Sequence, residues 1–163
     1  MHMIRTRQRR SAAGYALMEA LVAVIVASVG FIGAARMQTA GMSLANSAQS
    51  RQKATLLGYQ MTDRIRANRA GFNTGLYDNP STGSTSCLST GCTPAQLAIA
   101  DMGEWLSDVA ALPGGIGKVC LDSTPNDGTV AAPACDGSGN VIAVKIWWTD
   151  NVDETRFVTA LRP

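Results

Sequence analysis

The architecture of this chain is decided by Gly14-Tyr15-Ala16-Leu17-Met18-Glu19-Ala20-Leu21-Val22 and the apolar run that follows to Ala35. From Tyr15 to Ala35 the only charged residue is Glu19. At about 1.5 Å per residue, a helix of this length spans roughly 30 Å, which is the hydrocarbon thickness of a bilayer. The stretch therefore predicts a transmembrane helix over residues 15–36.

A basic leader precedes this helix and contains no acidic residue; its arginines are Arg5, Arg7, Arg9 and Arg10. The basic flank of a membrane span stays in the cytoplasm, so we expect the rest of the chain on the other side. A secretory signal is normally cut after its apolar region. Here the small residues at 12–14 come before the apolar run, so a cut there removes the leader, residues 1–14, and keeps the helix.

This stretch resembles the class III signal of type IV prepilins. It has a glycine, then an aromatic residue, then small and aliphatic residues, and a glutamate five positions after the glycine. The resemblance implies that a prepilin peptidase cuts after Gly14 and methylates the new amino terminus at Tyr15. It also implies that Glu19 is the acidic residue that pairs with a neighbouring subunit's amine during assembly. Tyr15 and Met18 replace the commoner Phe and Ile of the family and keep their size.

The charge balance depends on the leader. The chain of 163 residues, a length that suits one modest domain, has 14 basic and 12 acidic residues. Four of the basic residues lie in the leader, so the rest of the chain carries ten against twelve, a net charge of −2. The remaining basic residues do not form a face interleaved with aromatic residues, so we expect no nucleic-acid partner.

The helical pattern continues beyond the apolar run, because no proline occurs before Pro80 and residues 36–70 are rich in good helix formers. We expect one helix over about 15–70, whose periplasmic extension covers 37–71. The basic groups Arg51/Lys53 and Arg64/Arg66 are interpreted as a solvated helix face.

Residues 54–71 resemble the end of the long helix in PilV-type minor pilins, also called type IV pilus modification proteins. Major pilins usually have a helix-bending proline near the position of Arg36, so this departure favours a minor subunit.

Four cysteines follow the membrane segment, at Cys87, Cys92, Cys120 and Cys135. Three pairings are possible. Pairing of neighbours closes two short loops and suits an oxidising periplasm. Zinc is the alternative, but the first spacing is CX4C, the second is far wider, and no histidine follows. We therefore favour the two disulfides and expect no metal or other cofactor.

The remaining residues, 72–163, predict a globular head that begins with a loop over 72–92. Thr93-Pro94 with Gln96 is typical of a capped helix start, and the helix is expected over about 94–112. Three carboxylates share one flank of it: Asp101, Glu104 and Asp108. We interpret them as the wet side of the helix, with acid/base or calcium chemistry as the alternative.

Three runs rich in β-forming residues, at 117–121, 141–149 and 155–161, predict a three-stranded antiparallel sheet over about 117–161. Lys145 is expected to point to solvent or to mark an edge strand. Trp147 and Trp148 point to opposite faces. We expect one in the core, and the other either exposed as a contact or partly buried under the Ser/Thr loop. The predicted fold class is α+β and resembles type IV pilins: a long N-terminal helix with a globular head.

The sequence gives no sign of an enzyme or of a small-molecule substrate. The only histidine is His2 in the leader, and no nucleophile–base set, phosphate loop or metal spacing remains. The segment 92–120 also resembles the PilV-type head. The resemblance implies a subunit that moves from the bacterial inner membrane, with its head in the periplasm, to the pilus, and that supports pilus assembly, twitching motility and adhesion.

The resemblance also implies the partners: prepilin peptidase, other major and minor pilins, and the inner membrane. Two alternatives stay open. One is a pseudopilin of a type II secretion system, which shares the signal, helix and head plan. The other is an adhesin carried at the fibre tip.

Overall fold

A computed structural model describes residues 13–83, 87, 91–150 and 152–162. The elements are α1 (Ala13–Ala67), α2 (Arg69–Asn73), α3 (Pro94–Val109), β1 (Ile116–Leu121), β2 (Ile142–Asp150) and β3 (Asp153–Leu161). The predicted plan of a long N-terminal helix followed by a small antiparallel sheet is confirmed. The leader residues 1–12 and much of the Ser/Thr loop lie outside the described residues. The chain divides into two compact units, the N-terminal unit up to Leu44 and the C-terminal unit from Ala45 onward.

In the N-terminal unit, helix α1 exposes its apolar side chains. The most apolar part of α1 has a mean hydropathy of 2.2 with none of it buried, and the helix is long and apolar enough to cross a membrane. Two of its hydroxyl groups bond to the helix itself: Ser28 Oγ donates to the Val24 carbonyl at 2.6 Å, and Thr39 Oγ1 to the Arg36 carbonyl at 2.9 Å. Ser28 and Thr39 therefore satisfy their hydroxyl donors within the helix.

In the C-terminal unit, α1 buries a narrow stripe made of Ala54, Gly58, Met61 and Ile65, spaced by four, three and four residues. At Gly58 a β-carbon would collide with the ring of Phe157 on β3. Glycine is therefore required for the sheet to approach the helix this closely.

Helix α1 ends at Ala67 rather than continuing to residue 70. The side chain of Asn68 replaces the helical bonding pattern, because its Oδ1 accepts from the Gly71 N–H at 3.1 Å and its Nδ2 donates to the Pro94 carbonyl at 2.8 Å. Asparagine competes with the helix in this way through its short amide side chain. Asn68 thereby joins the end of α1 to the start of α3.

Helix α3 begins at Pro94 with Thr93 as its N-cap, and the predicted capping box is present. Its buried face contains Ala98, Met102, Trp105 and Val109. The indole Nε1 of Trp105 donates to the Leu57 carbonyl of α1 at 2.9 Å. The helix ends at Val109, before the predicted 112, because Ala111 and Leu112 turn the chain ahead of Pro113.

The sheet has the order β1-β2-β3 with both pairs antiparallel, so β2 is its central strand. One face of β2 joins the hydrophobic core with Ile142, Val144, Ile146 and Trp148. The opposite face lies under residues 122–141, which we call the cover segment.

Both tryptophans of β2 are buried, with 0% of Trp147 and 2% of Trp148 exposed. The expectation that one of them is an exposed contact is wrong, and most of the Ser/Thr loop of the other alternative lies outside the described residues. Trp147 lies under the cover segment instead, and its Nε1 donates to the Gly128 carbonyl at 3.3 Å.

Candidate functional site

The residues predicted to act in processing and assembly lie at the beginning of α1. Gly14 is part of the helix, and Tyr15 and Glu19 follow one turn apart on the same side. Both side chains are exposed, Tyr15 to 87%, and they border one shallow groove together with Met18 and Val22. A carboxylate therefore stands within a surface that is otherwise apolar.

The four cysteines form two disulfides. Cys87 is bonded to Cys92 and Cys120 to Cys135, with Cα atoms 5.1 Å and 6.2 Å apart. Sulfur atoms of the second pair lie within 4.8 Å of a carboxylate oxygen of Asp122. Both sulfurs are used in the disulfide, so neither is a thiolate that can bind a metal.

A buried ionic cluster occupies the covered face of the sheet. The side chain of Lys145 is 0% exposed, and its Nζ lies 2.5 Å from Asp122 Oδ2 and 2.5 Å from Asp127 Oδ1. The same Nζ donates to the Ala134 carbonyl at 3.0 Å. The prediction that Lys145 points to solvent or marks an edge is wrong, because β2 is central and the cover segment folds over this face.

The cover segment positions the two aspartates of this cluster. Asp122 is fully buried at the end of β1, and its Oδ1 accepts from the backbone N–H of Thr124 at 2.8 Å. Asp127 is 43% exposed, and its Oδ2 accepts from Thr124 Oγ1 at 2.8 Å. Hydrogen bonds from Lys145 and then Thr124 hold the pKa of Asp127 below its usual value.

The turn that carries Asp127 depends on Gly128. Its φ is +83°, and a β-carbon there would lie 2.6 Å from the backbone nitrogen of Ala134. The Gly128 carbonyl accepts from Trp147 Nε1 and from a guanidinium nitrogen of Arg156, each at 3.3 Å. The cover segment is therefore fastened to both β2 and β3.

A second polar network joins α1, α3 and the segment between them. Tyr77 is fully buried; its hydroxyl donates to Asp101 Oδ2 at 2.6 Å and accepts from Asn68 Nδ2 at 3.1 Å. Arg64 lies 3.8 Å from Asp101 and 2.7 Å from Glu104. The interpretation of a wet flank is therefore wrong for Asp101, which is only 8% exposed.

The network shifts the proton affinities of its members. Burial, and then the hydrogen bond to Asp101, raise the pKa of Tyr77 well above its usual value. The hydrogen bond from Arg64 lowers the pKa of Glu104. Burial lowers the pKa of Arg64, but the hydrogen bond and charge of Glu104 outweigh it, so the net change is upward. Arg64 is thus part of an ion pair and not of a free solvated face.

Arg51 is also paired in the C-terminal unit. It lies 3.5 Å from Asp150 at the end of β2, and Ser47 donates a hydrogen bond to the same carboxylate oxygen. These contacts attach the sheet to α1. The side chain of Arg51 is nevertheless 62% exposed, as the predicted solvated face requires.

No family model, curated protein or solved structure matches this chain.

The sequence interpretation did not identify the cluster of Lys145, Asp122 and Asp127. One signal in the sequence points to it: Lys145 interrupts an otherwise apolar strand, the second of three in a meander, and aspartates lie in the turn-rich connection before it.

Proposed function

We propose that this chain is a PilV-type minor pilin of a type IV pilus. It is held in the bacterial inner membrane by the first part of α1, carries its head in the periplasm, and then enters or initiates the fibre. One observation carries the proposal: the Gly14–Glu19 signal stands at the beginning of a helix whose first part, in the N-terminal unit, exposes its apolar side chains. The signal accounts for cleavage by a prepilin peptidase. The exposed apolar surface accounts for assembly, because it has to be covered by lipid or by neighbouring helices.

The exposed apolar surface of the N-terminal unit supports this assignment. Leu17, Leu21, Ile25 and Phe31 are each more than half exposed. Burial of one such side chain stabilises a protein by about 1.5–3 kcal/mol, so a helix bearing many of them stays soluble only when something covers them. Lipid covers this surface before assembly, and the helices of neighbouring pilins cover it in the fibre.

Glu19 gives the assembly its specificity. A carboxylate inside an apolar span is costly, so Glu19 calls for a cationic partner. Arg36 is 17 residues away, about 25 Å along a helix, and is out of reach. The amine at Tyr15, created by cleavage, is the closest cation, either in the same chain or in a neighbouring subunit. Pairing with a neighbour sets the axial position of the subunit in the fibre.

The C-terminal unit supports a periplasmic and then extracellular location. Its two disulfides suit an oxidising compartment. We assign it no enzymatic activity and no cofactor. Its partners are the prepilin peptidase, other major and minor pilins and the inner membrane, and its activity supports pilus assembly, twitching motility and adhesion.

The processing step is tested by substitution at the cleavage site. Glycine lets the backbone approach a narrow peptidase site closely. We expect Gly14→Val to leave the uncut chain in the membrane, and we expect the same result in a strain without the prepilin peptidase. Gly30→Ala is the matched control, because a β-carbon at Gly30 meets no atom within 4 Å.

Amino-terminal sequencing of membrane fractions measures the outcome. A chain that begins at Tyr15 in the Gly14→Val protein, or in a strain without the peptidase, would contradict the proposal. A deletion strain that loses exoprotein secretion but keeps twitching motility would instead indicate a pseudopilin.

A further inference from the structure

The cluster around Lys145 contains the groups that an amide bond between two side chains requires. The Lys145 amine is the nucleophile, and the Asp122 carboxyl group is the electrophile; both are 0% exposed. The amine already touches the carboxyl group, because Lys145 Nζ lies 2.5 Å from Asp122 Oδ2, the oxygen bonded to the carbon that Nζ would attack. Among the described residues this oxygen has no hydrogen-bond partner, so the close approach lacks hydrogen-bond geometry.

We propose that Lys145 and Asp122 form an intramolecular amide bond, with Asp127 as the group that transfers the proton. The proposal does not depend on the pilus assignment, because it rests only on residues of the C-terminal unit. The bond would join the end of β1 to the middle of β2. It adds a covalent link to the one that the Cys120–Cys135 disulfide already provides at the same face of the sheet.

The reaction needs no oxidant or other co-reactant. The first step transfers one proton from the Lys145 ammonium group to Oδ2 of the Asp122 carboxylate, which yields a neutral amine and a carboxylic acid. The lone pair of Nζ attacks Cγ of Asp122 while Nζ gives a second proton to Asp127. The C–O bond to Oδ2 then breaks, and Asp127 returns its proton to the departing hydroxyl group. The products are one amide and one water molecule, with no change in net charge.

The surrounding groups fit these roles. Asp127 Oδ1 lies 2.5 Å from Nζ, close enough to accept a proton directly from the amine. The backbone N–H of Thr124 donates to Asp122 Oδ1 at 2.8 Å and stabilises the negative charge that develops on this oxygen. Asp127 is 43% exposed, so the released water has a short way to solvent.

Peptide mass mapping of the full-length protein, purified from membranes in detergent and then denatured, reduced and alkylated, tests the proposal. Trypsin cuts after Lys118, Lys145 and Arg156, and no other lysine or arginine lies between 118 and 156. An amide on Lys145 blocks the middle cut. We expect a single peptide, 119–156, that is lighter than its sequence by one water. Peptides 119–145 and 146–156, both at full mass, would show an ion pair only and would overturn the proposal.

Two variants test the role of Asp127. In Asp127→Asn the shape of the side chain is kept, but the amide cannot accept the proton. Proton transfer by a positioned side chain contributes about 10²–10⁴-fold to a rate, so the linked peptide should appear at least about tenfold more slowly after a pulse of synthesis. Asp136→Asn is the matched control, an exposed aspartate of the cover segment whose partners are Ser123 and Ser138. Linkage in Asp127→Asn at the wild-type rate would overturn the role of Asp127.

Discussion

Replacement of Tyr77 by phenylalanine removes one hydroxyl from the network between α1 and α3. That hydroxyl donates to Asp101 at 2.6 Å and accepts from Asn68 at 3.1 Å, and all three side chains are buried. Asn68 keeps its bond to the Pro94 carbonyl. The buried Asp101 carboxylate loses its closest donor.

The expected loss of stability follows from that lost donor. A hydrogen bond to a charged group contributes about 1.5–3 kcal/mol, so we expect Tyr77→Phe to lower the free energy of unfolding by about 2 kcal/mol. For a unit of this size the melting temperature should fall by roughly 8 °C, at about 4 °C per kcal/mol.

The pH dependence provides a second readout of the same contact. The pKa of Tyr77 is raised in the folded protein, so folding favours the neutral phenol. The contribution of the neutral phenol to the free energy of unfolding is complete below the usual tyrosine pKa of about 10. It is lost as the pH rises toward the pKa that Tyr77 has in the folded protein. The Tyr77→Phe protein has no phenol at this position, so its stability does not fall for this reason. The stability difference between the two proteins should therefore narrow above about pH 10.

Thermal unfolding of the full chain in detergent, followed by near-ultraviolet circular dichroism at neutral and alkaline pH, measures both effects. Tyr59→Phe is the matched control, because Tyr59 is 55% exposed and surface substitutions usually change stability by less than about 0.5 kcal/mol. Equal melting temperatures of wild type and Tyr77→Phe at neutral pH would refute the network. A constant stability difference above pH 10 would refute the role of the phenol proton.

Two further substitutions test the C-terminal unit. The double substitution of Cys120 and Cys135 by serine should lower the free energy of unfolding by about 3 kcal/mol, because the pair closes a loop of 15 residues. An unchanged melting temperature would contradict this prediction. Glu104→Gln should lower the free energy of unfolding by less than about 1 kcal/mol, because the ion pair between Glu104 and Arg64 is exposed to solvent on the Glu104 side. The pKa of Glu104 is lowered, so its contribution exists above the usual glutamate pKa and disappears as the pH falls. An effect that persists at acid pH would be inconsistent with the ion pair.

The elements that were predictable from sequence are those whose signals are local. The apolar run, the absence of proline and the Thr93–Gln96 capping box are properties of neighbouring residues, and they placed α1 and the start of α3. The end of α1 was harder to predict because Asn68 acts through contacts with Pro94 and Gly71, of which Pro94 is distant in sequence.

The burial of Lys145 and Asp101 depends on tertiary contacts that periodicity does not contain. The cover segment lacks regular periodicity, so its sequence does not show that it folds over β2. A lysine in a strand was therefore assigned to solvent, although the second strand of a three-stranded meander is the central one. Asp101 shares its flank with Glu104, and only the position of Tyr77 against α3 separates the buried carboxylate from the exposed one.

The central claim, that α1 assembles into a pilus through Glu19, is tested most directly by immunoblots of sheared fibres. We expect Glu19→Ala to be cleaved after Gly14 and inserted in the membrane, while its abundance in sheared pili falls sharply because the amine that cleavage creates at Tyr15 loses its proposed counter-charge. Asp63→Ala is the control, an exposed carboxylate of α1 outside the apolar span, and should enter fibres normally. Glu19→Ala at wild-type abundance in sheared pili would contradict the account.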